Sequence, residues 1–170
     1  MYGEVYYGAV RKSTNGGNSF SSIAPANNGA WETPYELDRN DPQIMYIGYD
    51  ELHKTTDGGN NWNIITNNET NGGKIDEIGM SKSNSNVIYF SDGANIFVTA
   101  NGGSNWNNIT NNLPYKTISY IIVHPTDANK VWVTLSGYTS GEKVYKTIDG
   151  GNTWVNISGT LPNIPVNCIV

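Results

Sequence analysis

Apolar and polar positions along this chain alternate in short bursts, not in the long stripes of amphipathic helices. Thr117–Pro125 (TISYIIVHP) is an apolar, β-branched run, followed by the turn-forming TDAN and by Lys130–Gly137 (KVWVTLSG), where apolar and polar residues alternate. After the loop YTSGE come KVYKTID, a glycine pair and TWVNIS (Thr153–Ser158). Each run is bounded by turn residues, which predicts four strands, a to d, in about 45 residues. The same order recurs upstream. Strand a reappears as Glu32–Asp38 and Lys74–Met80, strand b as Ile44–Tyr49 and Val87–Asp92. Strand c reappears as ELHKTTD and NIFVTAN, strand d as NWNIIT and NWNNIT. No segment holds a 3.6-residue period over a useful length, so no helices are expected.

The glycine pair before each strand d sets the period. Its first members are Gly16, Gly58, Gly102 and Gly150, spaced 42, 44 and 48 residues apart. Such spacing marks a repeat architecture. The expected fold is all-β, a β-propeller of four-stranded antiparallel blades filling one domain over residues 1–170. The blades are expected at residues 1–24, 31–66, 74–110 and 117–158. The first has no strand a: EVYYG and AVRKSTN supply b and c, and SFSSIA supplies d. Ile164–Val170 (IPVNCIV) reads as an unpartnered strand a. Either it closes a four-bladed ring through the first blade, or the chain is part of a larger propeller.

Composition narrows the function. Aromatic residues make up 11% of the 170 residues, charged residues 15%, and the net charge is −5. Ten scattered Lys and Arg form no basic patch, so a nucleic-acid surface is not expected. No apolar run reaches membrane-spanning length, and MYGEVYYGAV lacks the basic and apolar regions of a signal peptide. Cys168 is the one cysteine and reads as a strand or core thiol. His53 and His124 lie in different repeats and read as packing or turn residues. No metal site and no cofactor are expected.

The repeated corner resembles the Asp-box, [ST]-x-D-G-x-x-x-W, of the BNR and sialidase-like propellers. Ser13, Thr55, Thr99 and Thr147 take its first position, and Asp57 and Asp149 the acid position, with Asn15 and Asn101 substituting. Phe20, Trp62, Trp106 and Trp154 are the closing aromatics. The resemblance runs through all four repeats. It implies a structural corner lying away from any ligand site. The residues agree, because Asx side chains accept turn N–H groups and paired glycines supply positive φ. A phosphate cradle would need a following helix and a Lys-Ser/Thr that are not there.

The resemblance also bears on catalysis. Sialidases clamp a carboxylate with three arginines. This chain has only Arg11 and Arg39, which excludes a self-contained sialidase. Xyloglucanase-like relatives use two carboxylates across a cleft, for which Asp76 and Glu77, or Glu32, Glu36 and Asp38, are candidates that read equally as turn caps. No catalytic residue is assigned. Ligands are expected where d–a and b–c loops gather, at Pro25–Trp31, Asn67–Gly73, Asn111–Lys116, Gly137–Glu142 and Gly159–Asn163. Trp31, Tyr115 and Tyr138 are the candidate ligand-binding aromatics there, since rings stack on sugar faces while amides bond hydroxyls.

The expected function is a non-catalytic extracellular or cell-surface scaffold presenting loops to a glycan or protein. The alternative is a fragment of a glycoside hydrolase with its catalytic residues outside this chain. Asn68, Asn108 and Asn156 begin N-x-[ST] patterns, two of them at one repeat position. Open blade edges would permit self-association.

Overall fold

The computed structural model describes residues 1–26 and 28–169 and contains only strands, turns and loops among them. Among the described residues fifteen strands form four sheets, each antiparallel with its strands in chain order. The first sheet comprises β1 (Tyr2–Val5), β2 (Ala9–Lys12) and β3 (Ser21–Ser22). The second comprises β4 (Tyr35–Leu37), β5 (Met45–Gly48), β6 (Leu52–Thr55) and β7 (Asn63–Ile64). The third has β8 (Glu77–Met80), β9 (Ile88–Asp92), β10 (Asn95–Thr99) and β11 (Asn107–Asn108). The fourth has β12 (Ile118–His124), β13 (Asp127–Leu135), β14 (Val144–Thr147) and β15 (Val155–Asn156). The final strand of every sheet is two residues long and exposed. Edges this short offer little template for pairing with another chain.

Three stretches differ from the sequence reading. Tyr6–Gly8 form the turn between β1 and β2 rather than the end of a strand. The TDAN segment is largely strand, because a register shift at Val123/His124 absorbs the turn in two residues and β13 starts at Asp127. Ile164–Ile169 carry no strand pairing, while Val170 and Asn27 lie outside the described residues. Instead the Ser119 hydroxyl donates to Val166 O at 2.5 Å, laying this segment beside β12.

The chain divides into two compact units, Met1–Ile75 and Asp76–Val170. In the first, Val10, Met45, Ile47 and Tyr49 are fully buried, with Tyr2, Ile23, Tyr35, Leu37 and Trp62 packed around them. In the second, Tyr89, Ile96, Val131, Val133 and Leu135 are fully buried with Trp154 among them. The Tyr89 hydroxyl donates to Ala128 O at 2.8 Å, tying the third sheet to the fourth. Burial pushes that hydroxyl up to about 12, with the Asp127 charge adding to it, so it stays a donor.

All four glycine-paired corners share one hydrogen-bond plan. The hydroxyls of Ser13, Thr55, Thr99 and Thr147, each at most 4% exposed, donate to Oδ1 of Asn15, Asp57, Asn101 and Asp149 at 3.0, 2.8, 2.8 and 2.7 Å. The same hydroxyls accept from the second glycine N–H, of Gly17, Gly59, Gly103 and Gly151, at 2.9–3.0 Å. Oδ1 in turn accepts the N–H four residues on, at 2.9–3.0 Å. Both glycines of every pair have φ between 70° and 99°, a conformation a side chain would strain. Asn can take the place of Asp because the shared bonds use Oδ1 alone, whereas at the two Asp corners Oδ2 also accepts, from Asn61 Nδ2 at 2.7 Å and from the Thr153 hydroxyl at 2.6 Å.

The corners also join neighbouring sheets. Trp62 Nε1 donates to Ile23 O at 2.8 Å, and Trp154 Nε1 to Ile109 O at 2.9 Å. Lys12 Nζ donates to Gly58 O at 2.9 Å. Asn112 Oδ1 accepts the Trp154 N–H at 3.0 Å, and its amide donates to Trp154 O at 2.8 Å. Trp154, 3% exposed, buries apolar area equivalent to about 2–3 kcal/mol.

Two predictions follow from the corners. Trp154→Ala should cost about 3–5 kcal/mol and lower the melting temperature by roughly 10 °C, with Trp154→Phe costing about 1 kcal/mol for the orphaned Ile109 carbonyl. Thermal unfolding checks both.

The second concerns pH. The carboxyl of Asp57 is held at about 2 by hydrogen bonds from Asn61 first and then Thr55, and that of Asp149 at about 2 by Thr153 and then Thr147, against an ordinary value of 3.8. Depressed carboxyls stabilise the fold fully above their unfolded pKa, and that share is lost as pH falls from 3.8 toward 2. The double variant Asp57→Asn, Asp149→Asn should therefore be less stable than the natural chain at pH 7, and the difference should shrink between pH 4 and 2. Melting curves across that range decide it.

Candidate functional site

Within each sheet, a–b and c–d turns share one end and b–c and d–a connections the other. In the first unit the second kind of end carries three exposed aromatic rings. Tyr6 and Trp31 stack with centroids 5.3 Å apart and planes 10° apart. Tyr7 stands edge-on to both, at 5.6 and 5.5 Å. Their exposures are 57%, 47% and 64% for Tyr6, Tyr7 and Trp31. Water therefore covers a ring surface that burial would favour.

The backbone beneath the rings is firmly held. Tyr7 has φ 65° and Gly8 φ 76°, so the turn is tight. Glu4 Oε1 accepts the N–H groups of Gly8 and Thr33, both at 3.2 Å, joining the turn to the segment that carries Trp31. Gly29 N–H donates to Tyr7 O at 3.2 Å. A Cβ at Gly29 would fall 2.1 Å from Thr33 Oγ1, so only glycine allows this approach. From below, the Tyr49 hydroxyl donates to Gly8 O at 2.8 Å and reaches Ala26 O at 3.1 Å. Burial pushes this phenol up to about 12, with the Glu4 charge contributing and the Ala26 contact opposing.

Of the three rings, the sequence singled out Trp31 alone. In the sequence Tyr6 and Tyr7 read as strand, because YYG continues the apolar run of EVYYG. The signal that could have found them is Gly8 placed just before a second alternating run, where a hairpin turn belongs. In the second unit, Tyr115 and Tyr138 are 88% and 74% exposed. Their neighbours are linked: Lys116 Nζ donates to Thr139 Oγ1 at 2.8 Å and pairs with Glu142 at 3.5 Å. Fully buried Lys143 donates to Gly137 O at 2.7 Å and anchors the loop that carries Tyr138. No stacking brings Tyr115 and Tyr138 together among the described residues.

Two of the candidate acids, Asp38 and Asp76, hold turns. Asp38 Oδ1 accepts the Asn40 N–H at 2.7 Å, and Asp76 Oδ2 the Gly93 N–H at 2.6 Å. Asp92, not foreseen from the sequence, sits near Asp76. Burial raises its carboxyl above the ordinary value and the Asp76 charge adds to this, while a hydrogen bond from Asn95 opposes them. His53 packs edge-on against Tyr49 at 5.1 Å and His124 lies against Trp132 at 5.9 Å. Among the described residues, no three His, Cys, Asp or Glu side chains group to hold a metal ion. No helix there is long and apolar enough to cross a membrane.

The chain matches no family model and no curated protein. Solved structures do resemble it. An ancestral GH74 enzyme superposes with a TM-score of 0.71 at 22% identity, covering 93% of this chain and 22% of its own. The GH74 enzyme of Niastella koreensis gives 0.76 at 16% identity, covering 95% and 28%. YCF48 bound to a D1 peptide gives 0.55 at 19% identity, covering 72% and 38%. The chain thus spans between about a fifth and two fifths of the length of these proteins. Together with the four antiparallel sheets, these likenesses identify the fold as blades of a β-propeller.

Proposed function

We propose that this chain supplies consecutive blades of a carbohydrate-engaging propeller of the glycoside-hydrolase kind, and that its own task is to hold glycan rather than to cleave it. The observation that carries this reading is the Tyr6–Tyr7–Trp31 cluster. Its exposed rings sit on a hydrogen-bonded backbone, so stacking a sugar ring costs little ordering. Flat apolar faces with nearby polar groups such as Asn28 and Asp50, whose side chains meet at 3.5 Å, suit a pyranose C–H face and its hydroxyls. The GH74 likenesses support a carbohydrate context, and an extracellular or cell-surface location goes with it. Cleavage of a glycosidic bond needs two carboxyl groups facing each other across the sugar. Asp38 and Asp76 each accept a turn N–H, and the reading assigns bond cleavage to residues outside this chain.

Titration with xyloglucan oligosaccharides, followed by tryptophan fluorescence and calorimetry, tests the proposal. Binding is expected, with no release of reducing sugar. Trp31→Ala should weaken it about fivefold, the loss of one stacking contact of about 1 kcal/mol, at unchanged melting temperature. Tyr115→Ala and Tyr138→Ala should leave it unaltered. Equal affinity in Trp31→Ala, or hydrolysis by the chain itself, would contradict the reading.

A further inference from the structure

We infer that the cleft between the third and fourth sheets binds a primary alkylammonium group, in the place that a lysine side chain fills between the first and second sheets. At three of the four corners the residue before the corner hydroxyl is a lysine. Its ammonium lies over the ring paired with it across the strands: Lys12 over Tyr2 at 5.7 Å, Lys54 over Tyr46 at 5.4 Å and Lys146 over Trp132 at 5.9 Å. The third sheet departs from this. There Val98 pairs with Tyr89, and the ring has no lysine of its own sheet over it.

Two corners are received by a neighbouring sheet of the same unit, and they differ at this point. At the corner of the second sheet, Lys12 Nζ donates to Gly58 O at 2.9 Å, and the Gly58 N–H donates to Gln43 O at 2.9 Å. A Cβ at Gly58 would meet both the Lys12 ammonium, 2.6 Å away, and Gln43 Oε1, 2.7 Å away. At the corner of the fourth sheet the Gly150 N–H donates to Asn129 O at 2.9 Å, as at Gly58. A Cβ at Gly150 would meet only Asn129, whose Oδ1 is 3.2 Å away. Among the described residues no group donates to Gly150 O.

The shorter Val98 leaves a cleft of about 370 Å³, and every residue lining it belongs to Asp76–Val170. Its walls suit a cation on an apolar stem. Val87, Val98 and Ile109 offer the stem apolar contact, and fully buried Tyr89 forms the floor. The head would meet Gly150 O, the Asp149 carboxylate and the side chains of Asn107 and Asn129. Neither of those two carboxamides makes a hydrogen bond among the described residues. No Lys or Arg lines the cleft, and the charge of Asp127 is felt at the Tyr89 hydroxyl. A cation gains from the carboxylates, the carbonyl and the ring together, whereas a neutral hydroxyl gains only hydrogen bonds. This sets the cleft apart from the aromatic cluster of the first unit, which offers stacking faces.

Amide chemical-shift titration of the full chain tests the inference with three probes. n-Butylammonium carries the group alone, 1-butanol is its neutral match, and Nα-acetyl-lysine amide presents it as a polypeptide would. Butylammonium should give saturable shifts at Val98, Asn129 and Gly150 and none at Gly58, where Lys12 already holds the carbonyl. Butanol should give none. The same shifts with acetyl-lysine amide would assign the site to a lysine side chain of a polypeptide; shifts with butylammonium alone would assign it to a free amine. Val98→Lys should abolish the response and raise the melting temperature by a few degrees. Val98→Met, which fills the same space without charge, should raise it less. No saturable shift with either amine, an equal response to butanol, or equal melting temperatures for the Lys and Met variants would overturn the inference.

Discussion

A buried hydroxyl holds each blade together. At Ser13, Thr55, Thr99 and Thr147 one oxygen donates to an Asx side chain and accepts a glycine N–H at the same time, with almost no access to water. A buried polar atom costs free energy unless it is paired, so this arrangement tolerates little drift. The glycine pair follows from it, since only a backbone at positive φ brings the second N–H back to the hydroxyl. The tryptophan follows too: once the corner is closed, its indole is aimed at the sheet before it. Sheet-to-sheet packing in each unit therefore hangs on an atom with no chemistry of its own.

The proposed ligand end is the opposite end of the strands. There the connections differ from repeat to repeat, and the first unit uses the difference to show three rings to solvent. Glu4, Gly29 and Tyr49 play for that cluster the part that the buried hydroxyl plays for the corner. They fix a strained turn so that the rings stay exposed instead of collapsing onto the apolar core.

The sheets were legible because their corners repeat in phase and because short apolar runs separated by turn residues cannot make helices. Trp62 and Trp154 were legible as corner aromatics for the same reason. Their indole partners, Ile23 O and Ile109 O, were not, because a backbone carbonyl has no letter in the sequence. Trp31 stood out as an aromatic in a loop. Tyr6 and Tyr7 did not, because alternation alone cannot separate a strand end from a tight turn when the turn residues are themselves β-formers. The same limit hid the shortened turn before β13, where a register shift pairs Asp127 with His124. Asp38 and Asp76 read as candidate acids, and the turn N–H groups of Asn40 and Gly93 that they accept are backbone groups the sequence does not mark.

The central claim is that the glycine-paired corners serve packing and that glycan is held at the other end of the blades. Backbone amide chemical-shift mapping with xyloglucan oligosaccharide tests it most directly. The account predicts perturbations at Tyr6–Gly8 and Gly29–Thr33 and silence at Gly16–Gly17, Gly58–Gly59, Gly102–Gly103 and Gly150–Gly151. Shifts concentrated at those glycine pairs, or no shift anywhere at saturating sugar, would contradict it.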